Sequence, residues 1–260
     1  MSDRSGTELL YGRNAVIEVL RGRRGIRRLY ALEGIERQER VAGVLRAARE
    51  RNIPVTRLSR TDLDRMLGNT GHQGLAVEAG LYPYVALDTL LRQADGKTIL
   101  LLDHLQDVQN LGTLMRTAEA VGAGGLILPE HRSAGITPAV VNASAGAVEH
   151  LPVARVANLA RAIEQGKEAG YWAVALELSQ NSQPIYQATI PQPTLLVVGC
   201  EGKGISSAVL KHCDLQVHLP MLGQVESLNA AVAGSIALYE LVRRQLEAEK
   251  GTNERGSRVP

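Results

Sequence analysis

The sequence has no phenylalanine and few other aromatic residues, which together make up 3% of its 260 residues. Protein surfaces that hold single-stranded bases by stacking need exposed aromatic side chains, so this composition argues against stacking as the main binding device. Cysteine is also scarce: Cys200 and Cys213 are the only two, and they show neither zinc-ligand spacing nor a disulfide framework. We expect both to be small residues in or near the core.

Long apolar runs are missing as well. No run approaches the roughly 18 residues that a membrane span needs. Residues 1–4 lack the apolar core of a signal peptide, so we expect a cytosolic protein without membrane association. With 45% hydrophobic and 22% charged residues, the chain can bury a core, and global disorder is excluded.

Positive charge is concentrated in the N-terminal third of the chain. Residues 1–75 contain 15 arginines and 9 acidic residues, a net charge of +6, whereas the remainder carries −4. Five of these arginines fall in the sequence RGRRGIRR at residues 21–28. Guanidinium groups pair with phosphate oxygens, so this stretch is suited to a phosphate backbone. A solvated surface loop explains the same composition equally well.

Helix and strand signals alternate along the chain. In the N-terminal part they predict helices at residues 14–20 and 36–51 and a third, short helix that begins at the cap signal Thr61-Asp62. The predicted strands there are residues 28–32, 54–58 and 74–79. Further on they predict strands at 98–102, 125–128, 151–155, 171–178, 194–198 and 215–219, with helices at 111–121, 159–169 and 228–249. Short apolar strands that alternate with helices favour an α/β fold with a parallel sheet, whose ligand site lies beyond the carboxyl ends of the strands.

These patterns divide the chain into four parts. We expect a small α/β domain at residues 1–79, a linker at 80–97, a larger α/β domain at 98–249 and a flexible tail at 250–260.

Three polar segments follow predicted strands of the larger domain, at residues 102–112, 198–206 and 219–229. The second is rich in glycine, but it matches neither common nucleotide loop. Lys203 is followed by Gly204 instead of Ser or Thr, which excludes a P-loop, and the glycine spacing is GxxGxG instead of GxGxxG. By itself this segment is typical of a tight strand-to-helix turn with positive φ.

Taken in order, the three segments resemble the three motifs of the SpoU (TrmH-type) 2′-O-ribose methyltransferases of the SPOUT class. The matching residues are Asn110-Leu-Gly with Arg116, then Gly199-x-Glu201-Gly202-x-Gly204, then Pro220-Met-x-Gly223 with Ser227-Leu-Asn229. In the N-terminal part, Tyr11-Gly-Arg-Asn-Ala-Val and His72-Gln73-Gly74 resemble the small substrate-binding domain of the ribosomal-RNA guanosine branch.

The resemblance implies a fold, a reaction and a set of partners. The fold would be a SPOUT-type parallel sheet with a C-terminal trefoil knot, preceded by a small RNA-binding domain like those of ribosomal proteins. The protein would be a homodimer whose site uses both chains, with S-adenosyl-L-methionine (SAM) as cofactor and no metal. The reaction would be methylation of a ribose 2′-hydroxyl, with a guanosine of large-subunit ribosomal RNA as the expected target. Transfer-RNA ribose methylation and a non-catalytic RNA-binding assembly factor are the alternatives.

The resemblance also assigns site residues. The cofactor-binding residues would be Gly199, Gly202, Leu219, Met221 and Leu228, and the catalytic residues Asn110, Arg116, Glu201, Ser227 and Asn229. The six histidines share no spacing, and none is assigned to catalysis.

Several of these residues also have a purely structural interpretation. Asn110, Ser227 and Asn229 stand where helix caps are expected, and Arg116 would otherwise be an exposed helix arginine. Because a guanidinium has a pKa above about 12, it is a poor base, and we expect Arg116 to position a phosphate and to stabilise alkoxide charge. Glu201 is expected to orient Arg116 or the ribose.

Overall fold

The computed structural model describes the backbone of residues 6–256 and the side chains of residues 6–248. In chain order its strands are β1 (Thr7–Tyr11), β2 (Ile26–Leu32), β3 (Val55–Leu58), β4 (Leu75–Gly80), β5 (Ile99–Asp103), β6 (Gly125–Pro129), β7 (Val153–Val156), β8 (Trp172–Leu176), β9 (Gln183–Pro184), β10 (Thr194–Gly199) and β11 (Leu215–His218). Its α-helices are α1 (Arg13–Arg21), α2 (Glu39–Glu50), α3 (Arg60–Leu67), α4 (Leu87–Gln93), α5 (Val108–Ala120), α6 (Pro138–Ala143), α7 (Leu159–Glu168), α8 (Ser207–Leu210) and α9 (Ala230–Gly256).

The chain forms two compact units, and the first of them is discontinuous. Met1–Pro83 and Ile136–His150 make up the first unit, and Tyr84–Gly135 and Leu151–Pro260 make up the second. Residues 136–150, which were predicted to lie in the larger domain, belong to the first unit. Helix α4, which falls in the predicted linker at residues 80–97, belongs to the second unit.

The first unit contains a four-stranded sheet of order β1-β4-β2-β3. β4 is antiparallel to both of its neighbours, and β2 runs parallel to β3. Residues that alternate along the strands, such as Leu29 and Ala31, are fully buried, while Arg28 and Tyr30 point to the other face and remain accessible. The segment 136–150 contributes α6 and a 3₁₀ turn at Ala147–His150, which pack against α1.

Arg24 is buried in this unit, contrary to the prediction that the arginines of residues 21–28 lie on a solvated or phosphate-binding surface. Its Nε donates to Glu149 Oε2 at 2.9 Å, and its Nη1 forms an ion pair with Glu8. The guanidinium also lies over the ring of Tyr82, 5.2 Å from the centroid. Burial raises the pKa of the Glu149 carboxyl. Arg24 therefore compensates buried negative charge, which would otherwise be costly, and it joins β1 to the segment 136–150.

The neighbouring arginines do lie at the surface. Arg21, Arg23, Arg27 and Arg28 are exposed. Arg27 pairs with Glu78 at 2.9 Å, and Arg28 Nη1 donates to Thr56 Oγ1 at 3.0 Å. One arginine of the basic stretch, Arg24, is therefore internal, and the other four form an exposed basic surface at and before β2.

The second unit contains a seven-stranded sheet of order β7-β6-β5-β10-β8-β11-β9, in which every pair of neighbours is parallel. This confirms the predicted parallel α/β sheet. From β5 the chain moves outward to β6 and β7 and then crosses to the other half of the sheet, so β5 and β10 flank a topological switch point. Ligands of such sheets bind outside the carboxyl ends of the strands at this point. The first and second polar segments begin there, directly after β5 and β10.

Helices α5 and α9 pack against each other in this unit. Gly234 allows their close approach, because a Cβ at this position would lie 2.7 Å from Leu114 Cδ2. Thr117 Oγ1 and Ser235 Oγ are hydrogen-bonded at 2.8 Å across the same contact. The first and third polar segments are thereby brought together, since each of them leads into one of these helices.

The secondary structure departs from the sequence prediction at a few positions. β1, α4, α6, β9 and α8 were not predicted, because each is only two to seven residues long. Ser59, not Thr61-Asp62, caps α3, since its Oγ accepts the Asp62 N–H at 3.2 Å. α9 extends to Gly256, beyond the predicted end at 249, and residues 257–260 of the predicted tail lie outside the described residues. Among the helices of residues 6–256, none has both the length and the hydropathy required to cross a membrane.

Candidate active site

The first polar segment links the buried strand β5 to α5. Asp107 caps the helix, because its Oδ1 accepts the N–H of Asn110 at 2.7 Å. The interpretation of Asn110 as the cap is therefore wrong: Asn110 is the third residue of the helix. Its side chain is 8% exposed, and it is not used to satisfy the helix terminus. The amide is thus available to the site.

The glycine-rich segment is a tight turn after β10. The Gly204 N–H donates to the Cys200 carbonyl at 3.0 Å, and Gly202 and Gly204 have φ angles of +76° and +62°. A Cβ on Gly199 would lie 2.2 Å from the carbonyl carbon of Gly204. The predicted turn with positive φ is confirmed, and its glycines are required by this close backbone approach.

Asn229 has two roles at the start of α9. Its Oδ1 accepts the N–H groups of Ala231 at 3.0 Å and Val232 at 3.2 Å, so Asn229 caps the helix as predicted. Its Nδ2 points the other way and donates to Asn110 Oδ1 at 2.9 Å. Asn229 rather than Ser227 provides the cap, and Ser227 lies in the loop before it.

Three side chains, one from each polar segment, form a polar triad of Asn110, Glu201 and Asn229. Glu201 Oε1 accepts from Asn110 Nδ2 at 3.1 Å and is also contacted by Asn229 Nδ2. Both amide groups thus direct a donor at one carboxylate oxygen, which fixes the position of that carboxylate. The expected contact of Glu201 with Arg116 is not formed among the described side chains; the two amides occupy this carboxylate oxygen instead.

A first cavity of about 600 Å³ opens beside the triad. All five residues that were predicted to bind the cofactor line it, as do Glu201, Ser227 and Asn229. Its volume lies within the usual range of pockets for small molecules and cofactors. The structure thus brings together nine of the ten predicted site residues: Asn110, Glu201, Ser227, Asn229, Gly199, Gly202, Leu219, Met221 and Leu228.

The lining of the first cavity combines free backbone groups with apolar side chains. Among the described residues, residues 219–228 form no backbone–backbone hydrogen bond, and five of them line the cavity: Leu219, Met221, Glu226, Ser227 and Leu228. Their N–H and C=O groups are therefore available to a ligand, as obligatory donors and acceptors. Leu228, one of these five, is 39% exposed and offers apolar contact to a ring.

A second cavity, of about 540 Å³, lies on the other side of the glycine-rich turn. It shares Cys200, Glu201 and Gly204 with the first cavity, and Asn110 also lines it. Several carboxylates line one cavity or the other, and Glu201 is the only one of them that lines both. Asp103, His104, Arg132 and Lys203 belong to this second cavity and were not predicted as site residues. Two of them could have been identified from the sequence. His104 directly follows β5, and Lys203 lies within the glycine-rich segment.

Arg116 is the one predicted site residue that the structure places elsewhere. It lies on the exposed face of α5 and lines neither of these two cavities. Asn110 and Arg116 are six positions apart, about 9 Å along a helix axis, and they point in different directions around it.

The two cysteines have different environments. Burial raises the pKa of the Cys213 thiol to about 12, so this residue stays protonated at neutral pH. Cys200, in contrast, lines both cavities. Both cysteines were predicted to be small residues in or near the core. Cys213 does pack against the core, whereas Cys200 lies at the wall of the two cavities. Within the described residues, no cluster of three or more His, Cys, Asp or Glu side chains has the arrangement of a metal site.

The fold and the site together define a class: an α/β enzyme that binds a nucleotide-like ligand at the carboxyl ends of its parallel strands. Comparison with known proteins narrows this class. Residues 97–239 match the SpoU rRNA Methylase family, and residues 9–85 match the domain described as RNA 2′-O ribose methyltransferase substrate binding. A TrmH family tRNA/rRNA methyltransferase of Bacillus subtilis is 40% identical over 243 residues, which cover 92% of this chain and 96% of that protein.

Solved structures agree with these matches. An AdoMet-bound rRNA methyltransferase from Sinorhizobium meliloti is 27% identical with a TM-score of 0.78, covering 94% of this chain and 89% of that one. The TrmH/SpoU tRNA modifying enzyme of A. aeolicus is 29% identical with a TM-score of 0.54, covering 63% of this chain and 82% of that one. The chain belongs to the SpoU (TrmH) family of SAM-dependent RNA methyltransferases.

Proposed function

We propose that this enzyme methylates a ribose 2′-hydroxyl of RNA, with large-subunit ribosomal RNA as the substrate. The observation that carries the proposal is the polar triad, whose Glu201 carboxylate faces both cavities. The residues that line the first cavity would hold SAM, which would supply the methyl group there. A hydroxyl that enters from the second cavity meets Glu201 at the boundary between the two.

In this proposal the triad positions the nucleophile. Methyl transfer is an in-line displacement, so the attacking oxygen must be held in line with the methyl carbon and the sulfur. Asn110 and Asn229 fix one oxygen of Glu201, and the carboxylate accepts a hydrogen bond from the 2′-hydroxyl. This bond orients a lone pair of the hydroxyl toward the first cavity. The Glu201 carboxylate takes up the hydroxyl proton as the oxygen is methylated. Ser227 lines the first cavity beside Asn229 and adds a hydroxyl donor there.

We propose that the protein is a homodimer and that Arg116 acts in the site of the partner protomer. Four apolar side chains of α9 are exposed, at 36–58% of their surface: Val232, Ile236, Tyr239 and Leu246. Their spacing places them on one face of the helix. A second copy of the chain is the occupant, because α9 packs against α5, and α5 exposes Arg116, which lines neither cavity of its own protomer. In that position the guanidinium can hold a substrate phosphate and stabilise developing charge on the 2′-oxygen.

A mixed dimer of two impaired variants tests this arrangement. Arg116→Ala and Glu201→Gln protomers, each with a rate far below the wild type by itself, are mixed and allowed to exchange. If each site combines Arg116 of one protomer with Glu201 of the other, half of the dimers regain one intact site, and the mixture recovers about a quarter of the wild-type rate. If the two residues serve the same chain's site, no activity returns.

Ribosomal RNA is favoured over transfer RNA by the first unit. The S. meliloti rRNA enzyme matches this chain over 94% of its length, whereas the A. aeolicus tRNA enzyme matches 63%. Arg27 and Arg28 contribute to an exposed basic surface of the first unit, which is suited to a phosphate backbone. We also propose that the enzyme acts in the cytoplasm, where bacterial RNA is made. The trefoil knot that the resemblance implies stays a prediction.

The substrate is tested with transcripts made in vitro, which carry no modification. We expect labelled SAM to transfer its methyl group to a 23S-type ribosomal transcript and not to a pool of transfer-RNA transcripts. Label in transfer RNA alone would replace the ribosomal proposal with its alternative. Binding of the transcripts without any transfer would favour the assembly-factor alternative.

A further inference from the structure

The second cavity carries positive charge that has no partner among the side chains that the structure describes. Lys203 and Arg132 line it, and neither side chain forms a hydrogen bond or an ion pair with another described residue. Both residues are exposed, and they come from separate parts of the second unit: Lys203 from the glycine-rich turn and Arg132 from the loop after β6. Two unpaired cations at one cavity indicate a site for an anionic group.

The acidic side chains of the same cavity are committed to other groups. Asp103 Oδ2 accepts the Ser206 N–H at 2.7 Å, and its Oδ1 contacts His104 Nδ1. The carboxylate of Asp107 caps α5, and Glu201 accepts from the two amides of the triad. These carboxylates are thus fixed by internal donors and do not pair with Lys203 or Arg132.

Backbone strain is found at the same cavity. His104 and Arg132 have φ angles of 58° and 57°. These lie in the left-handed region, which residues other than glycine rarely adopt. A residue with a Cβ is strained in this conformation, and strain of this kind concentrates at ligand sites. Here it occurs twice in the lining of one cavity. His104 is held in place by the buried carboxylate of Asp103, whose side chain is 1% exposed.

The volume of the second cavity and its position define the size and chemistry of the ligand. At about 540 Å³ it can hold a nucleotide-sized ligand. Its boundary with the first cavity contains Glu201. A ligand that presents a hydroxyl to Glu201 and an anionic group to Lys203 and Arg132 would span the cavity, and a ribonucleotide within RNA has this pairing of groups.

We propose that the second cavity binds the target nucleotide, with Lys203 and Arg132 holding a phosphate next to the ribose that is methylated. This inference rests on the proposed function and adds the residues that recognise the substrate. Lysine provides a mobile point charge, and arginine a planar fork that fits two phosphate oxygens. These two residues position the substrate, and the triad acts on the hydroxyl.

The test is the double variant Lys203→Ala/Arg132→Ala, compared with the matched control Lys211→Ala/Arg161→Ala. The control removes one exposed lysine and one exposed arginine from the same unit, away from both cavities. We expect KM for the ribosomal transcript to rise roughly tenfold or more in the first variant, because two charge-assisted contacts are lost. KM for SAM should stay within about twofold in both variants, since the first cavity is unchanged.

The salt dependence gives a second readout that a folding defect would not mimic. Loss of two phosphate contacts should reduce the slope of log affinity against log salt by about 0.7 for each contact with single-stranded RNA. The conservative variant Lys203→Arg/Arg132→Lys should recover most of the RNA affinity. An RNA KM and a salt slope equal to those of the control would overturn the proposal.

A binding probe keeps this inference separate from the proposed function. If the wild-type enzyme transferred no label to any transcript, the proposed function would fail, and the cavity would still be tested with guanosine 3′,5′-bisphosphate by NMR titration. Shifts near Lys203 that vanish in the double variant would support the cavity as a nucleotide site. No binding of the bisphosphate to the folded wild-type protein would overturn it.

Discussion

Asn229 Nδ2 donates a 2.9 Å hydrogen bond to Asn110 Oδ1, although the two residues are 119 positions apart in the sequence. The bond joins the start of α9 to the first turn of α5. Both amides also direct their Nδ2 groups at Glu201. The three polar segments are therefore one hydrogen-bonded unit, and a change in any one of these side chains is expected to disturb the other two.

The triad should be needed for transfer and not for cofactor binding. Glu201→Gln keeps the shape of the side chain but replaces one carboxylate oxygen, a hydrogen-bond acceptor, with an NH2 group, which is a donor. We expect kcat to fall by a factor on the order of 100, with the Kd for SAM within a few-fold of the wild type. Initial rates with labelled SAM and calorimetric titration measure the two quantities. Glu168→Gln, an exposed carboxylate on α7, is the control. A normal kcat in Glu201→Gln would remove Glu201 from the reaction.

The two roles of Asn229 can be separated by substitution. Serine also caps helices, so Asn229→Ser should keep the stability of α9 while it loses both donor contacts to the triad. Asn229→Ala loses the cap as well, and its free energy of unfolding should fall by about 1 kcal/mol. Both variants should lose kcat to a similar extent. Denaturant unfolding and initial rates test this pattern, and an active Asn229→Ser enzyme would show that Asn229 serves only as a cap.

Arg24 and its neighbour Arg27 should behave in opposite ways. Removal of Arg24 leaves the buried Glu149 without its partner, so Arg24→Ala should destabilise the protein by roughly 3–5 kcal/mol. Arg27 is exposed, and Arg27→Ala should change stability by less than about 1 kcal/mol while it weakens RNA binding. Thermal unfolding and filter binding of the ribosomal transcript measure the difference. Equal stability of the two variants would contradict the internal role of Arg24.

The two thiols should differ in reactivity, and SAM should protect one of them. Cys213 has a pKa of about 12, so an alkylating reagent should leave it unmodified at pH 8. Cys200 lines the first cavity, and saturating SAM should slow its modification by iodoacetamide. Mass spectrometry after timed quenching locates the adduct, and Cys200→Ser is the control. Modification of Cys200 at the same rate with and without SAM would place the cofactor elsewhere.

Local signals predicted most of this structure. The apolar patterns of β5, β10 and α5 predicted the parallel sheet. The resemblance of the three polar segments to the SpoU motifs, and not a local signal, assigned the nine residues that line or adjoin the first cavity. What the sequence could not supply depended on distant contacts. Arg24 is buried because of Glu149, which is 125 positions away, and no local pattern marks that pair.

The choice between candidate caps was also beyond the sequence. Asp107 and Asn110 are both good cap residues three positions apart, and only the hydrogen bond from the Asn110 N–H to Asp107 shows which of them begins the helix. For the same reason the segment 136–150 was assigned to the larger domain, since its packing against α1 has no signature in its own residues.

The most direct measurement is the position of the transferred methyl group. The enzyme is incubated with methyl-labelled SAM and an unmodified 23S-type transcript, and the RNA is then hydrolysed in alkali. Cleavage of RNA by alkali needs a free 2′-hydroxyl, so a methyl group on that oxygen leaves the label in a resistant dinucleotide. We predict that the label is recovered in dinucleotides. Label recovered in mononucleotides would show methylation of a base and would contradict the account.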